Sequence, residues 1–243
     1  MLKTAAARLR KELIELGAEA VFLTLLMLAG FAHSFYLHTL FGQPAPRLFL
    51  QIHGAIMTGW LALLLVQTAL VFARRTQWHK TLGYWGIAYA TLILPIGAMA
   101  TLGLARREVL AHSARVPSQL NVLGLELTQL SLFALLVASA FFLRARTDFH
   151  KRLMIIATLC ILPNAIVRLS ILSNLDFLGT NLAILTVWVL VVLAVVGSDV
   201  WRNRRLHPAF GWSASLAILA LYTAWYGSRT LFWDHYWIKT LGS

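Results

Sequence analysis

The sequence predicts an all-α integral membrane protein, a bundle of about seven transmembrane helices with its amino terminus in the cytoplasm. Three observations carry this reading. The 243 residues are 59% hydrophobic and 12% charged, which leaves too little polar surface to coat a water-soluble domain. Apolar runs of about 20 residues, enough to cross roughly 30 Å of hydrocarbon, recur along the whole chain. The basic residues lie mostly in the connections between those runs, where the positive-inside rule expects them.

The runs fall at 19–40, 48–73, 82–104, 121–143, 153–175, 180–200 and 209–232. All are too long and continuous for the alternating strands of a membrane barrel. Ahead of the first lies a charged amphipathic stretch without a small-residue cleavage site, so residues 1–17 are expected as a retained cytoplasmic segment and 18–240 as one seven-span domain. The second run carries His53, Met57, Trp60, Leu64 and Gln67 at helical spacing. The third shows a smooth stripe, His79, Gly83, Gly86, Ala90, Ile93 and Gly97, suited to a neighbouring helix or the edge of a flat macrocycle. On the fifth, His150, Met154, Ala157, Ile161, Asn164 and Arg168 share one azimuth over about 27 Å of rise. Pro95 and Pro163 are expected to kink their spans. A single cysteine, Cys160, excludes an intramolecular disulfide.

The net charge of +12 does not point to nucleic acid. Lys3, Arg8, Arg10, Lys11, Arg74, Arg75, Lys80, Arg144, Arg146, Lys151, Arg152, Arg202, Arg204 and Arg205 all fall on one side of a seven-span topology, where they orient the chain and meet anionic lipid. Arg106, Arg107 and Arg115 dissent. The expected location is therefore the bacterial inner membrane, multi-pass, with the bilayer as partner. Trp78, Trp85, Trp201 and Trp212 near the inner ends and Trp233 and Trp237 near the outer end read as interfacial anchors.

One phrase is written three times, each after a cluster of arginines and before an apolar run: Trp78-His79-Lys80-Thr81-Leu82-Gly83, Phe149-His150-Lys151-Arg152-Leu153-Met154 and Leu206-His207-Pro208-Ala209-Phe210-Gly211. Each sets an imidazole at the mouth of a span, and imidazoles held there in register are candidate haem or metal ligands. His79 and His150 form the expected pair, with His207 as third candidate. Arg75, Arg146 and Arg204, beside the repeats, suit haem propionates, and Arg168, inside a span, suits an anionic group. His53 belongs to the outer half, where His33 and Glu126 reach a similar depth; with His112 they offer a mixed nitrogen and oxygen set for copper or zinc. His33 and His38 diverge by about 140° around their helix, so at most one faces a given partner.

These residues resemble the small b-type transmembrane cytochromes of the ascorbate and ferric-reductase type, in which histidines opening spans as L-H-x-x-L-G hold haem in a helical core. His79, His150 and the segment His53-Gly54-Ala55-Ile56-Met57 match that pattern. Across most of the chain the H-G-x-x-x-T-x-W, H-x-x-L-G and H-K-R-L-M segments resemble an uncharacterised group of bacterial multi-pass proteins. The cytochrome resemblance implies haem b on His79 and His150, electron transfer across the membrane or with a quinone or redox partner protein, and a membrane oxidoreductase or electron-transfer subunit. The fourth run departs from it, having no histidine to pair with His53, so one haem or none is implied.

Other readings stay open. A di-iron oxygenase needs histidines three or four apart, and none are so spaced. A small-solute or ion transporter would use Arg168 and Glu126, with Asn164, Gln67 and Gln129, as a polar path. An accessory subunit without catalysis leaves no mark in sequence. No phosphate-binding glycine loop, nucleophile triad or dinucleotide motif is present.

Overall fold

The computed structural model describes residues 2–172 and 181–242, with side chains for 14, 17–170 and 181–242. Positions 173–175 and 180 of the expected spans, and the side chains of Lys3, Arg8, Arg10 and Lys11, lie outside the described residues.

Among the described residues the regular structure is all helical, without strands. α1 (Leu2–Phe31) ends in a π-helical turn, Ala32–Tyr36, and is followed by α2 (Leu48–Phe72), α3 (Thr76–Leu110), α4 (Val116–Phe142), α5 (Thr147–Cys160), α6 (Pro163–Leu172), α7 (Asn181–Asn203), α8 (Pro208–Gly227) and α9 (Leu231–Gly242). Six segments are long and apolar enough to cross a membrane: Gly17–Tyr36, Leu48–Phe72, Thr76–Leu110, Val116–Phe142, Thr147–Ser170 and Asn181–Asn203. An all-α multi-pass membrane protein is the result.

The seventh expected span is the one that differs. The run 209–232 is not continuous: α8 stops at Gly227, the chain turns through Ser228–Thr230, and α9 starts a separate short helix. Its serines, tyrosines and tryptophans also dilute its apolar character, and it is not among the six. The amphipathic stretch 1–17 is likewise no separate element, since α1 runs unbroken from Leu2 into the first span.

The two prolines behave differently. Pro95 sits inside an unbroken α3, whereas Pro163 opens α6 after the break at Ile161–Leu162. Proline lacks an N–H and its ring clashes with the preceding turn, so a first-turn position costs nothing.

The fold consists of two compact units, Met1–Ile93 and Leu94–Ser243. In the first, α1 packs on α2, and the segment His53-Gly54-Ala55-Ile56-Met57-Thr58-Gly59-Trp60 acquires a packing explanation. Gly54 faces the Phe35 ring and Gly59 the Tyr89 hydroxyl, each so close that a Cβ would collide. The Tyr89 hydroxyl donates to the Ile56 carbonyl at 2.6 Å. Thr58 donates to the Gly54 carbonyl at 2.7 Å and pairs with the Tyr36 hydroxyl at 2.6 Å. Trp60 is buried.

In the second unit α4, α5 and α8 form the centre, with α7 against α6 and α8 and α9 against α4. Phe133, Leu136, Ala140, Leu153, Ile156, Ala157, Leu159, Trp188, Phe210 and Ala217 are its buried core. Trp188 donates from Nε1 to the Leu159 carbonyl at 2.7 Å, which satisfies its one polar atom. A smaller cluster of Ala105, Val109, Leu120, Leu123 and Leu241 is closed by Trp233 and Trp237. Those two tryptophans therefore pack into protein, Trp233 donating to the Leu120 carbonyl at 2.9 Å, and the exposed aromatics of α9 are Phe232 and Tyr236. Trp78, Trp85, Trp201 and Trp212 are exposed, as residues facing lipid or its interface are.

Candidate functional site

Each repeated phrase is a helix-to-helix corner. Arg74 and Arg204 hold left-handed backbone, φ 58° and 56°, as they end α2 and α7, and the histidine phrase then begins the next helix. Left-handed residues close helix carboxyl ends, at a small cost for any residue with a Cβ.

The three imidazoles differ in what they hold. His150 places Nδ1 2.8 Å from the Ala140 carbonyl in the last turn of α4, so Nδ1 donates and the lone pair resides on Nε2. His79 meets the Gln67 side chain. With that amide turned so both its ends are satisfied, Gln67 Nε2 donates to His79 Nδ1 at 2.6 Å while its oxygen accepts from the Gly83 N–H at 2.9 Å. The proton of His79 is then on Nε2, opposite to His150. The Gln67 carbonyl, 3.4 Å from the same Nδ1, is the longer contact and does not decide the tautomer. His207 uses both nitrogens: Nδ1 accepts from the Ala209 N–H at 3.1 Å, capping α8, and Nε2 lies 3.0 Å from Asp148 Oδ2. Its ring stands edge-on to Phe149 at 4.8 Å.

The arginines expected beside a propionate are engaged elsewhere or exposed. Arg146 lies over the Phe149 ring at 5.0 Å, and Arg75 is exposed. In the first unit His33 rests edge-on against Phe41 at 5.0 Å, and His53 is half-buried on α2. Among the described residues no three histidine, cysteine, aspartate or glutamate side chains gather as a metal site would require; His33 and His53 belong to the first unit and Glu126 to the second.

At the end of the second unit where α4 and α7 finish and α5 and α8 begin, an ion pair lies buried. Arg152 donates from Nη2 to Asp199 Oδ1 at 2.7 Å and from Nε to Oδ2 at 3.1 Å, a bidentate fork. Its Nη1 donates to the Asp148 carbonyl at 2.8 Å. The two side chains are 5% and 7% exposed. Asn203 adds a bond to Asp199 Oδ1 at 3.0 Å, Arg202 approaches to 3.7 Å, and the Arg152 guanidinium stands 5.7 Å above Phe210. Arg152, expected among the orienting surface charges, is instead buried against Asp199. The available signal was a lone aspartate in an aliphatic span, which a membrane interior tolerates only with a partner.

At the opposite end Asn121 ties three helices. It donates to Ser228 Oγ at 2.6 Å and to the Trp225 carbonyl at 3.2 Å, and accepts from Asn181 at 2.5 Å.

Between the two ends lies Glu126, about 15 Å of helix rise into α4. It is half-buried and feels the Arg168 charge on α6, while the Thr101 hydroxyl on α3 is buried with no hydrogen-bond partner among the described residues. Arg168 is exposed on the unit's surface. One turn along α4 from Glu126, Gln129 is 3% exposed, and its Oε1 has no hydrogen-bond donor among the described residues. Asn164, the other polar residue expected on the fifth run, is half-buried at the start of α6.

Comparison with described protein families, with curated proteins and with solved structures yields no match to this chain.

Proposed function

We propose that the chain is a small-solute or ion transporter of the cell membrane, with Glu126 and Arg168 in its polar path. The observation that supports the reading is a carboxylate and a guanidinium of opposite charge within one membrane-spanning unit, beside a buried amide oxygen with no donor among the described residues. Ionisable groups at membrane depth cost several kcal/mol and persist where they serve a path or a bound ion. The test is current recording from proteoliposomes on solid-supported membranes, across a panel of small ions and organic solutes. Responses that vanish in both Glu126→Ala and Arg168→Ala support the reading. Responses that survive in both, or no response from the wild-type chain, remove it.

A second reading, a haem b protein that passes electrons to a quinone or redox partner, draws on one observation. His150 has its Nδ1 proton tied to a carbonyl and its lone pair on Nε2, the arrangement in which an imidazole ligates iron. Such a haem would supply one-electron chemistry. His79, with its proton on Nε2, and His207, with both nitrogens engaged, do not offer the same donor. A dithionite-reduced absorption spectrum of protein made in a haem-replete host decides this: a b-type band supports it, and a colourless preparation ends it.

A further inference from the structure

A groove on the second unit runs from the turn between α8 and α9 along the seam of α4 and α8. Ser228, Thr230 and Phe232 form its mouth, Ser131 and Leu135 its far part, and Trp233 lines both. We propose that this groove seats one acyl chain of an anionic phospholipid, with the head-group phosphate on Arg229 at the mouth. The inference is independent of what the chain transports.

Length, wall chemistry and depth all fit hydrocarbon. From Gly124, which lines both parts, to Leu135 α4 rises about 16 Å, close to half of the roughly 30 Å of hydrocarbon in a bilayer, so the groove reaches through about one leaflet. Its hydroxyls are turned to their own backbone. Thr128 donates to the Gly124 carbonyl at 2.9 Å, Ser131 to the Leu127 carbonyl at 2.8 Å and Thr230 to the Gly227 carbonyl at 2.8 Å. With those donors spent, the wall has little for a polar solute and suits a methylene chain. The mouth lies at the end of a span. Trp233 donates to the Leu120 carbonyl near the start of α4, and Leu241 packs with Ala105, Val109 and Leu120, so α9 lies across the last turns of α3 and the first turns of α4. Leu231 and Phe232, 87% and 81% exposed, open α9 with large apolar side chains turned outward, as helices at a membrane interface do.

Charge selects the head group. Arg229 is exposed and stands in the chain between the mouth residues Ser228 and Thr230. Its guanidinium lies 4.8 Å over the Trp225 ring, a contact that positions the group and itself uses none of its N–H donors. α9 begins two residues later, and its first N–H groups bring their positive partial charge to the same place. Arg106, Arg107, Arg115 and Lys239 belong to this end as well, Arg106 donating to the Leu241 carbonyl at 3.4 Å. The carboxylates among them are Glu108, 3.4 Å from Arg115, and Asp234. Arg106, Arg107 and Arg115 are the residues that break the one-sided pattern of basic loops, and an anionic head group complements the excess of cations they create.

The test is native mass spectrometry of the full chain released from mild detergent after incubation with dioleoyl phosphatidylglycerol, dioleoyl phosphatidylcholine or glycerol phosphate. The wild-type chain is expected to retain one phosphatidylglycerol at a concentration about tenfold below that needed for phosphatidylcholine, which has the same chains. Glycerol phosphate, a head group without chains, is expected not to bind. Arg229→Gln is expected to lower phosphatidylglycerol to the phosphatidylcholine level, and Ser131→Phe, which fills the groove from an exposed position, to weaken both lipids. Arg144→Gln, at the opposite end, is expected to change neither. Circular dichroism checks that the variants fold, and the comparison of the two lipids on the wild-type chain stands without them. Equal retention of the two lipids, or a broad statistical ladder of adducts, overturns the proposal. So does wild-type binding by folded Arg229→Gln or Ser131→Phe, or an Arg144→Gln loss as large as that of Arg229→Gln. Glycerol phosphate binding as well as the lipid would make this a site for free phosphate, and a dimer mass abolished by Ser131→Phe would put a second copy in the groove; either result overturns it too.

Discussion

Removing Asp199 is the sharpest structural test of the second unit. In Asp199→Ala the Arg152 guanidinium stays charged, because arginine does not deprotonate in proteins. It loses its two bonds of 2.7 and 3.1 Å and keeps the one to the Asp148 carbonyl. Arg202, formerly 3.7 Å from the same carboxylate, becomes a like-charged neighbour without the intervening anion. With both partners at 5–7% exposure water cannot substitute, and breaking a buried pair from one side costs about 3–5 kcal/mol. A neutral interhelical hydrogen bond in a membrane averages only about 0.6 kcal/mol, so the two origins are separable. The assay is reversible unfolding of the purified protein in mixed detergent micelles, followed by circular dichroism. Asp199→Ala is expected to lose several kcal/mol, whereas the double change Arg152→Leu with Asp199→Leu, which removes both charges, recovers most of it. A single variant within about 1 kcal/mol of wild type, or a double variant as damaged as the single, refutes the reasoning.

Two further outcomes follow from local geometry. Gly59→Ala must push the Tyr89 hydroxyl off the Ile56 carbonyl and is expected to cost about 1–3 kcal/mol, whereas Gly103→Ala, with nothing within 4 Å, is expected to gain up to about 1 kcal/mol from helix propensity; thermal melts of the pair check the contrast. Burial pushes the Asp234 carboxyl above the ordinary 3.8, so the group favours folding most in acid and that contribution fades as pH rises through its raised value. Asp234→Asn should therefore melt higher than wild type at neutral pH, with the gap closing in acid; a gap that widens in acid contradicts the assignment.

How much was legible in the chain differs from element to element. Within the described residues the apolar runs from 19–40 to 180–200 each emerge as a spanning segment, the fifth as two helices in succession, because length and hydrophobicity are one-dimensional properties and a bilayer imposes them on every crossing. The run 209–232 read as one more crossing, yet the turn at Ser228–Thr230 divides it, and no residue there is so strong a breaker as Pro163. Pro95 and Pro163 look alike in sequence, and the structure breaks the helix only before the second. The three histidine phrases looked equivalent. Their chemistry diverged because a ring's tautomer is set by the atom opposite Nδ1: a carbonyl for His150, an amide donor for His79, a backbone N–H for His207.

The sequence by itself determined the solvent and the secondary structure, since a chain with this many apolar residues and no regular polar face must satisfy its backbone internally in lipid, and helices do so locally. Tertiary structure alone decided which polar residues meet. Arg152 and Asp199 are 47 positions apart, and Asn121 meets Ser228 across 107 positions; no periodicity encodes such pairs. They come together because a buried charge or amide is stable only beside a partner, and which partner is available depends on how the helices pack.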